Sequence, residues 1–170
     1  MKAALVAAVM LPVLLVVGVI IAAVHAGRTS PVEPLRLGPV PAPMAAGAEC
    51  ATLLHALPTR LGDYPKTEPA QPIPPATRAW RHDDGEPIIL RCGVERPLEF
   101  NRAAPLQLID TVQWFEIAGT PASTWYAVDR DVYVALTVPN DSGPTPLQEV
   151  SDTITRTLAV RPLAPGPLPN

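Results

Sequence analysis

The chain is poor in the residues that most often carry chemistry in proteins. It has two cysteines and three histidines among 170 residues. The cysteines, Cys50 and Cys92, lack the CxxC spacing of a redox pair, and two isolated cysteines make a poor zinc site. The sequence also lacks the Gly-x-Ser-x-Gly elbow of a serine nucleophile. It therefore specifies no reaction, and we expect no cofactor.

A concentration of positive charge is missing as well. The 13 basic side chains are scattered and are outnumbered by 16 acidic ones. Such a chain has no basic patch for nucleic acid, so we expect no nucleic-acid partner. Arginine outnumbers lysine, and alanine and proline abound, which is the coding bias of a GC-rich genome and indicates a bacterium. A length of 170 residues suits one modest domain.

The chain has one long apolar run, which lies at its N-terminus. It is uncharged from Ala3 to Ala26 apart from His25, which is long enough to cross a hydrocarbon core that needs about 20 residues. We predict a transmembrane anchor or signal over residues 1–26, with residues 3–26 in the lipid bilayer and the domain outside the cell membrane. The anchor is favoured because a signal peptide has an apolar core of only about 7–15 residues. Cleavage after Ala26 would instead secrete the protein.

Proline then marks the organisation of the remaining chain. The 23 prolines cluster between Pro31 and Pro75 and again after Arg161. Repeated proline without a hydrophobic period is typical of extended spacers. We therefore predict a spacer over residues 27–48, an extracytoplasmic domain over residues 49–160, and a disordered tail over residues 161–170.

The two cysteines are predicted to form a disulfide bond. Cys50 begins an apolar stripe at helical spacing that continues through Leu53, Leu54 and Leu57 and ends before Pro58. In the strand "IILRCGV", alternation places Cys92 on the same face as Ile88 and Leu90. Both cysteines thus face the core, and export would take them to an oxidising compartment, where a pair of thiols usually becomes a disulfide.

The domain is predicted to be α+β, with a mostly antiparallel sheet of four to five strands and two amphipathic helices on one face. A second stripe at helical spacing, on the helix that follows Gly143, includes Val150 and Ile154. We expect Thr145 to cap this helix and Ile154 to cover Val134 and Leu136. The expected strands are "RAW" ending at Trp80, and the segments 88–94, 111–117, 123–128 and 132–138.

One polar cluster is a weak candidate for a ligand site. It runs from Arg81 to Glu86 and contains His82, Asp83, Asp84 and Glu86, which in principle suit a divalent cation or acid–base chemistry. The alternative is a solvated turn between two strands, which Asp and Gly favour. Arg91, on the outer face of its strand, is interpreted as exposed or paired with Glu116 or Asp129.

The three tryptophans are interpreted as packing residues rather than as a platform for sugars. Trp80, Trp114 and Trp125 all lie on predicted strands. Exposure of two of them together would instead favour glycan binding.

Several of these features together resemble a known family. They are the apolar N-terminus, a helix with "C-x-x-L" that ends in "LP", the strand "ILRCGV" followed by Pro97, a strand with "VQW", and a final amphipathic helix. The combination resembles the actinobacterial family of exported, membrane-anchored proteins known as domain of unknown function 3515. In that family's pattern the tryptophan before the strand precedes glycine directly, whereas Trp80 here is followed by "RHDDG". The resemblance implies location and architecture, and no activity.

Two functional hypotheses follow from the sequence. The first is a non-catalytic, membrane-anchored module of a bacterial cell envelope that contacts another envelope protein or a glycan. The second is an envelope enzyme, or a protein that binds a small ligand or a metal, using the cluster of His82, Asp83 and Asp84.

Overall fold

The computed structural model describes residues 15–20, 22–23, 34–83 and 85–168. The chain divides into two compact units, residues 1–33 and 34–170. In the first unit, residues 15–20 and 22–23 are helical. Most of the predicted transmembrane helix lies outside the described residues, and within them no helix is long and apolar enough to cross a membrane. The predicted fold class is corrected by the number of strands in the second unit.

In the second unit, eight strands of the described chain form one sheet. They are β1 (Arg60–Leu61), β2 (Tyr64–Thr67), β3 (Thr77–Trp80), β4 (Ile88–Val94), β5 (Gln107–Ile109), β6 (Val112–Ile117), β7 (Ala122–Ala127) and β8 (Tyr133–Pro139). Their order across the sheet is β1-β2-β3-β4-β8-β7-β6-β5, and every neighbouring pair is antiparallel. The strands β6, β7 and β8 form the predicted meander.

The prediction of four to five strands is wrong because it missed β1, β2 and β5. These strands have two, four and three residues and lie toward the two edges of the sheet. Strands this short do not show a hydrophobic alternation, and Pro65 within β2 is typical of an edge position rather than of a central strand.

Two helices pack on one face of the sheet, as predicted. Helix α1 spans Ala48–Ala56 and helix α2 spans Thr145–Thr157. Contacts join α2 to α1 and to strands β1, β5, β6 and β8. The predicted cap at Thr145 is wrong, because Pro144 precedes the first helical residue and no side chain caps the helix.

The main core lies between these helices and the sheet. Val134, Leu136 and Ile154 are fully buried, which confirms the predicted contact between β8 and α2. Burial of an aliphatic side chain of this kind is worth about 1.5–3 kcal/mol. Two tryptophans in this core also satisfy their ring N–H groups: Trp80 donates to the Pro58 carbonyl oxygen at 3.1 Å, and Trp114 donates to Ser151 Oγ at 2.9 Å.

The opposite face of the sheet has a second, smaller core that the sequence did not indicate. Phe100, Phe115 and Val128 form its centre, with Tyr126 and Tyr133 packed against them. The ring centroids of Phe100 and Phe115 are 5.7 Å apart, within the range of favourable aromatic pairs. The residues that precede β5 therefore cover part of the sheet face left bare by the helices.

Arg91 lies on this second face and is half-buried. It does not pair with either predicted carboxylate, since Glu116 belongs to the helix-covered face and Asp129 forms an ion pair with Arg130. Arg91 Nη2 instead donates to the Gly38 carbonyl oxygen at 3.2 Å. Burial lowers the pKa of Arg91 below its usual value.

A disulfide bond joins α1 to β4, as predicted. Cys50 and Cys92 are bonded with their Cα atoms 5.5 Å apart, and both are fully buried. The next residue, Gly93, forms a bulge in β4 with a φ of 77°. Its carbonyl oxygen accepts a hydrogen bond from the Met44 N–H at 3.1 Å, so the segment that leads into α1 lies directly against β4.

A buried ion pair and the C-terminal segment lie at the same end of the sheet as the disulfide. Asp129 and Arg130 pair at 2.8 Å with both side chains almost fully buried, and Arg130 Nη2 donates to the Thr111 carbonyl oxygen. The segment predicted to be a disordered tail is described as far as Leu168. Within it, the N–H of Arg161 bonds to Asp129 and that of Gly166 bonds to Phe100.

Replacing Cys92 by Ser should lower the free energy of unfolding by about 2–5 kcal/mol, because the disulfide closes a loop with a sequence separation of 42 residues. The measurement is urea unfolding of both proteins with and without reductant. Reductant should destabilise the wild type and leave the variant unchanged. Equal effects of reductant on the two proteins would contradict the structural role of this disulfide.

Replacing Gly93 by Ala should destabilise the domain by about 3 kcal/mol or more, because it combines a strained φ with a backbone overlap. A Cβ atom at this position would lie 2.7 Å from the Met44 carbonyl oxygen. Gly143 is the matched control, since its φ is 71° and its Cβ would meet nothing within 4 Å. Gly143→Ala should cost about 1 kcal/mol. Equal melting temperatures of the two variants would show that the contact is unimportant.

Candidate functional site

Four connections meet at the end of the sheet that lies away from the disulfide. They are the β1–β2 turn, the β3–β4 connection, the β6–β7 turn and the link from β8 to α2. Two adjoining cavities open here, with volumes of about 690 and 530 Å³, and both are lined by Pro139, Asn140 and Ser142. We call the two cavities together the loop-end groove. Clefts of this size, built on a rigid sheet, are the common form of ligand sites.

The larger cavity is acidic. Asp63, Glu86 and Asp141 line it together with Arg60 and His82. No salt bridge joins these three carboxylates to a cation within the part of the chain that the structure describes, and Arg60 donates to the backbone carbonyl oxygen of Asp63 at 3.0 Å. We call this space the acidic cavity.

The pKa of Tyr64, which lines the acidic cavity, is raised by its surroundings. Burial raises the pKa of its hydroxyl above the usual value, and the charges of Asp141 and Asp63 raise it further. A carboxylate near a phenol has this effect because it disfavours the negatively charged phenolate. The two aspartates come from separate connections, so the negative potential results from folding and not from a local run of acidic residues.

The smaller cavity lies beside the start of α2 and is lined by a tryptophan. Trp125 on β7 and Glu116 on the adjacent strand β6 are directly paired in the sheet. Both line the cavity together with Gln107 and Leu147. Glu116 is the one charged residue among those that line it in the described chain. We call this space the tryptophan cavity. It combines an aromatic surface, a carboxylate and neutral amides.

Asn140 holds the loops of the groove together. Its Nδ2 donates to the Gly119 carbonyl oxygen at 2.8 Å, and its Oδ1 accepts from Ser123 Oγ at 3.1 Å. Its backbone N–H also donates to the Pro121 carbonyl oxygen at 3.0 Å. These bonds connect the link after β8 to the β6–β7 turn, between the acidic cavity and the tryptophan cavity.

The predicted polar cluster reaches the groove only in part. His82 and Glu86 line the acidic cavity, whereas Asp84 lies outside the described residues. His82 Nδ1 lies 3.0 Å from Asp83 Oδ2, and the two side chains are 59% and 87% exposed. Within the described ranges, no three His, Cys, Asp or Glu side chains lie close enough to one another to hold a metal ion. His82 and Asp83 thus belong to a solvated connection at the rim.

The sequence did not predict the residues that shape the tryptophan cavity. Glu116 was considered only as a partner for Arg91, and Trp125 only as a packing residue. Trp80 and Trp114 are fully buried, and Trp125 alone of the three is partly exposed. The condition that would have favoured a glycan platform, two tryptophans exposed together, is not met. A period-two reading of β6 and β7 would have placed Glu116 and Trp125 on the same face as the core.

The comparisons with known proteins concern nearly the whole chain. Residues 9–163 match the family described as "Protein of unknown function (DUF3515)". The chain belongs to the DUF3515 family. This confirms the resemblance drawn from the sequence. No curated protein sequence and no solved structure matches the chain. The description of DUF3515 names no activity, so a function for this member has to be argued from its own groove.

Replacing Asn140 by Ala should loosen the groove, because the Gly119 carbonyl oxygen and the Ser123 hydroxyl lose their partner. We expect a loss of about 1–2 kcal/mol in the free energy of unfolding and faster hydrogen exchange in residues 118–122. Asn140→Asp is the matched control, since it keeps an acceptor for Ser123 but no donor for Gly119. Unchanged exchange in Asn140→Ala would show that Asn140 does not hold these loops.

Proposed function

We propose that this DUF3515 protein is an extracytoplasmic, non-catalytic binding module of a bacterial cell envelope, and that the loop-end groove is its binding surface. The observation that carries the proposal is the groove itself. Four connections that are remote in sequence line the acidic cavity, and the adjoining tryptophan cavity lies between two of these connections, the strands β5, β6 and β7, and the start of α2. Binding surfaces are commonly built from such loops on a rigid scaffold.

The disulfide supports the extracytoplasmic location. Structural disulfides persist in oxidising compartments and are rare in the cytosol. Cys50 and Cys92 are the two cysteines of the chain, and their bond is fully buried between α1 and β4. A small domain with such a bond is suited to the bacterial exterior, where the bond is not reduced.

The groove favours a binding role over the alternative of an envelope enzyme. Acid–base catalysis uses side chains whose environment perturbs them and excludes water. His82 and Asp83, the residues on which the enzyme hypothesis depends, are mostly exposed. The carboxylates of the acidic cavity are exposed to solvent, which suits charge recognition better than proton transfer.

A photo-crosslinking amino acid should capture a partner when it is introduced at Thr120 or Asp141 in living cells. Both residues line the acidic cavity and are exposed. Arg102 is the control position, because it is exposed, lies in the connection between β4 and β5, and does not line the groove. The crosslinked products are separated by size and identified by mass spectrometry.

A product common to Thr120 and Asp141, and absent at Arg102, is the expected result. Crosslinks from Arg102 alone would place the binding surface outside the groove. An absence of crosslinks from both groove positions would contradict the proposal.

A further inference from the structure

We propose that the tryptophan cavity binds a lysine or arginine side chain of a partner protein, presented by an extended segment that lies along the edge of β5. This inference rests on the proposed function and names the class of its ligand. Its three supports are the charge of the cavity, the aromatic ring beside that charge, and the open sheet edge that borders them.

The charge of the cavity selects a cation. Glu116 has no ion-pair partner among the described residues, and no basic side chain lines the cavity with it. The adjoining acidic cavity adds the carboxylates of Asp63, Glu86 and Asp141. A negative potential over both cavities attracts basic ligands and repels acidic ones.

The ring of Trp125 makes the same selection by a second mechanism. Trp125 and Glu116 are directly paired across β6 and β7, which places their Cβ atoms about 4.5–5.5 Å apart. An ammonium or guanidinium group between them can contact the carboxylate and the face of the indole ring together. Tryptophan is the best of the aromatic residues for such a cation–π contact.

The neighbouring sheet edge indicates that the cation belongs to a polypeptide. β5 is the last strand of the sheet and pairs only with β6 within the described chain. Gln107 and Ile109 of β5 line the cavity, and Leu108 between them is 72% exposed. An extended segment can add to such an edge through backbone hydrogen bonds, and alternate side chains then enter the adjacent pocket.

Tryptophan fluorescence of the full-length protein in detergent provides the test. Trp125 is the accessible tryptophan, since Trp80 and Trp114 are fully buried, so a bound ligand should change the emission of Trp125. The probes are synthetic peptides in which threonine alternates with lysine, glutamine or glutamate. A tetrasaccharide of N-acetylglucosamine is added as a further probe.

The lysine peptide should bind about tenfold more tightly than the glutamine peptide at low salt, and the glutamate peptide more weakly still. Glu116→Gln should reduce the preference for lysine several-fold while leaving the fold intact, because the nearest carboxylate is lost and the indole ring of Trp125 remains. Glu95→Gln is the matched control, because Glu95 is exposed at the opposite end of the sheet, and it should keep the preference. Peptide binding should also slow hydrogen exchange in β5.

Equal affinities for the lysine and glutamine peptides, or an undiminished preference in Glu116→Gln, would overturn the inference. A response to the tetrasaccharide without one to the lysine peptide would replace it by glycan binding. If peptide binding did not slow hydrogen exchange in β5, the edge of β5 would not be part of the binding surface. If the peptide experiment fails while Thr120 and Asp141 still give crosslinks, the groove remains the binding surface and only the proposed ligand class is wrong.

Discussion

The attachment of α1 to the centre of the sheet is the constraint on which the domain depends. β4 pairs with β3 on one side and β8 on the other, so it joins the N-terminal strands to the C-terminal meander. The disulfide ties α1 to this strand, and Gly93 lets the chain before α1 approach within hydrogen-bonding distance of it. A side chain at Gly93 would separate these two segments. The small size of the domain makes such a covalent constraint valuable, because a core of this extent stabilises only marginally.

This arrangement leaves the two ends of the sheet with different roles. One end carries the disulfide, the bulge at Gly93, the ion pair of Asp129 and Arg130, and the C-terminal segment. A buried ion pair loses its hydration, and the hydrogen bond from Arg130 to the Thr111 carbonyl oxygen compensates for part of that loss. The opposite end carries open turns, whose polar groups remain accessible to solvent. The buried covalent and ionic contacts therefore lie at one end of the sheet, and the groove lies at the other.

The acidic cavity takes its carboxylates from several connections, and only part of the predicted polar cluster lines it. His82, Asp83 and Glu86 are close in sequence, and a connection between two strands brings them to the rim. The negative potential that acts on Tyr64 arises instead from Asp63 and Asp141, which belong to different connections. Electrostatic potential depends on distance in space, so residues that are isolated in sequence can dominate it. Glu116 and Trp125 likewise become neighbours only through the pairing of β6 with β7.

The sequence by itself determined the elements that have a hydrophobic period and the pairing of the two cysteines. Helices α1 and α2 and strands β4, β6, β7 and β8 are each long enough to present an apolar stripe, and that stripe is a local property of the chain. Only the tertiary structure decided the short strands β1, β2 and β5, the second core around Phe100, and the loop-end groove. These features depend on which segments become neighbours after folding. A short strand is stabilised by the strand beside it, and a cavity exists only between segments that the fold has brought together.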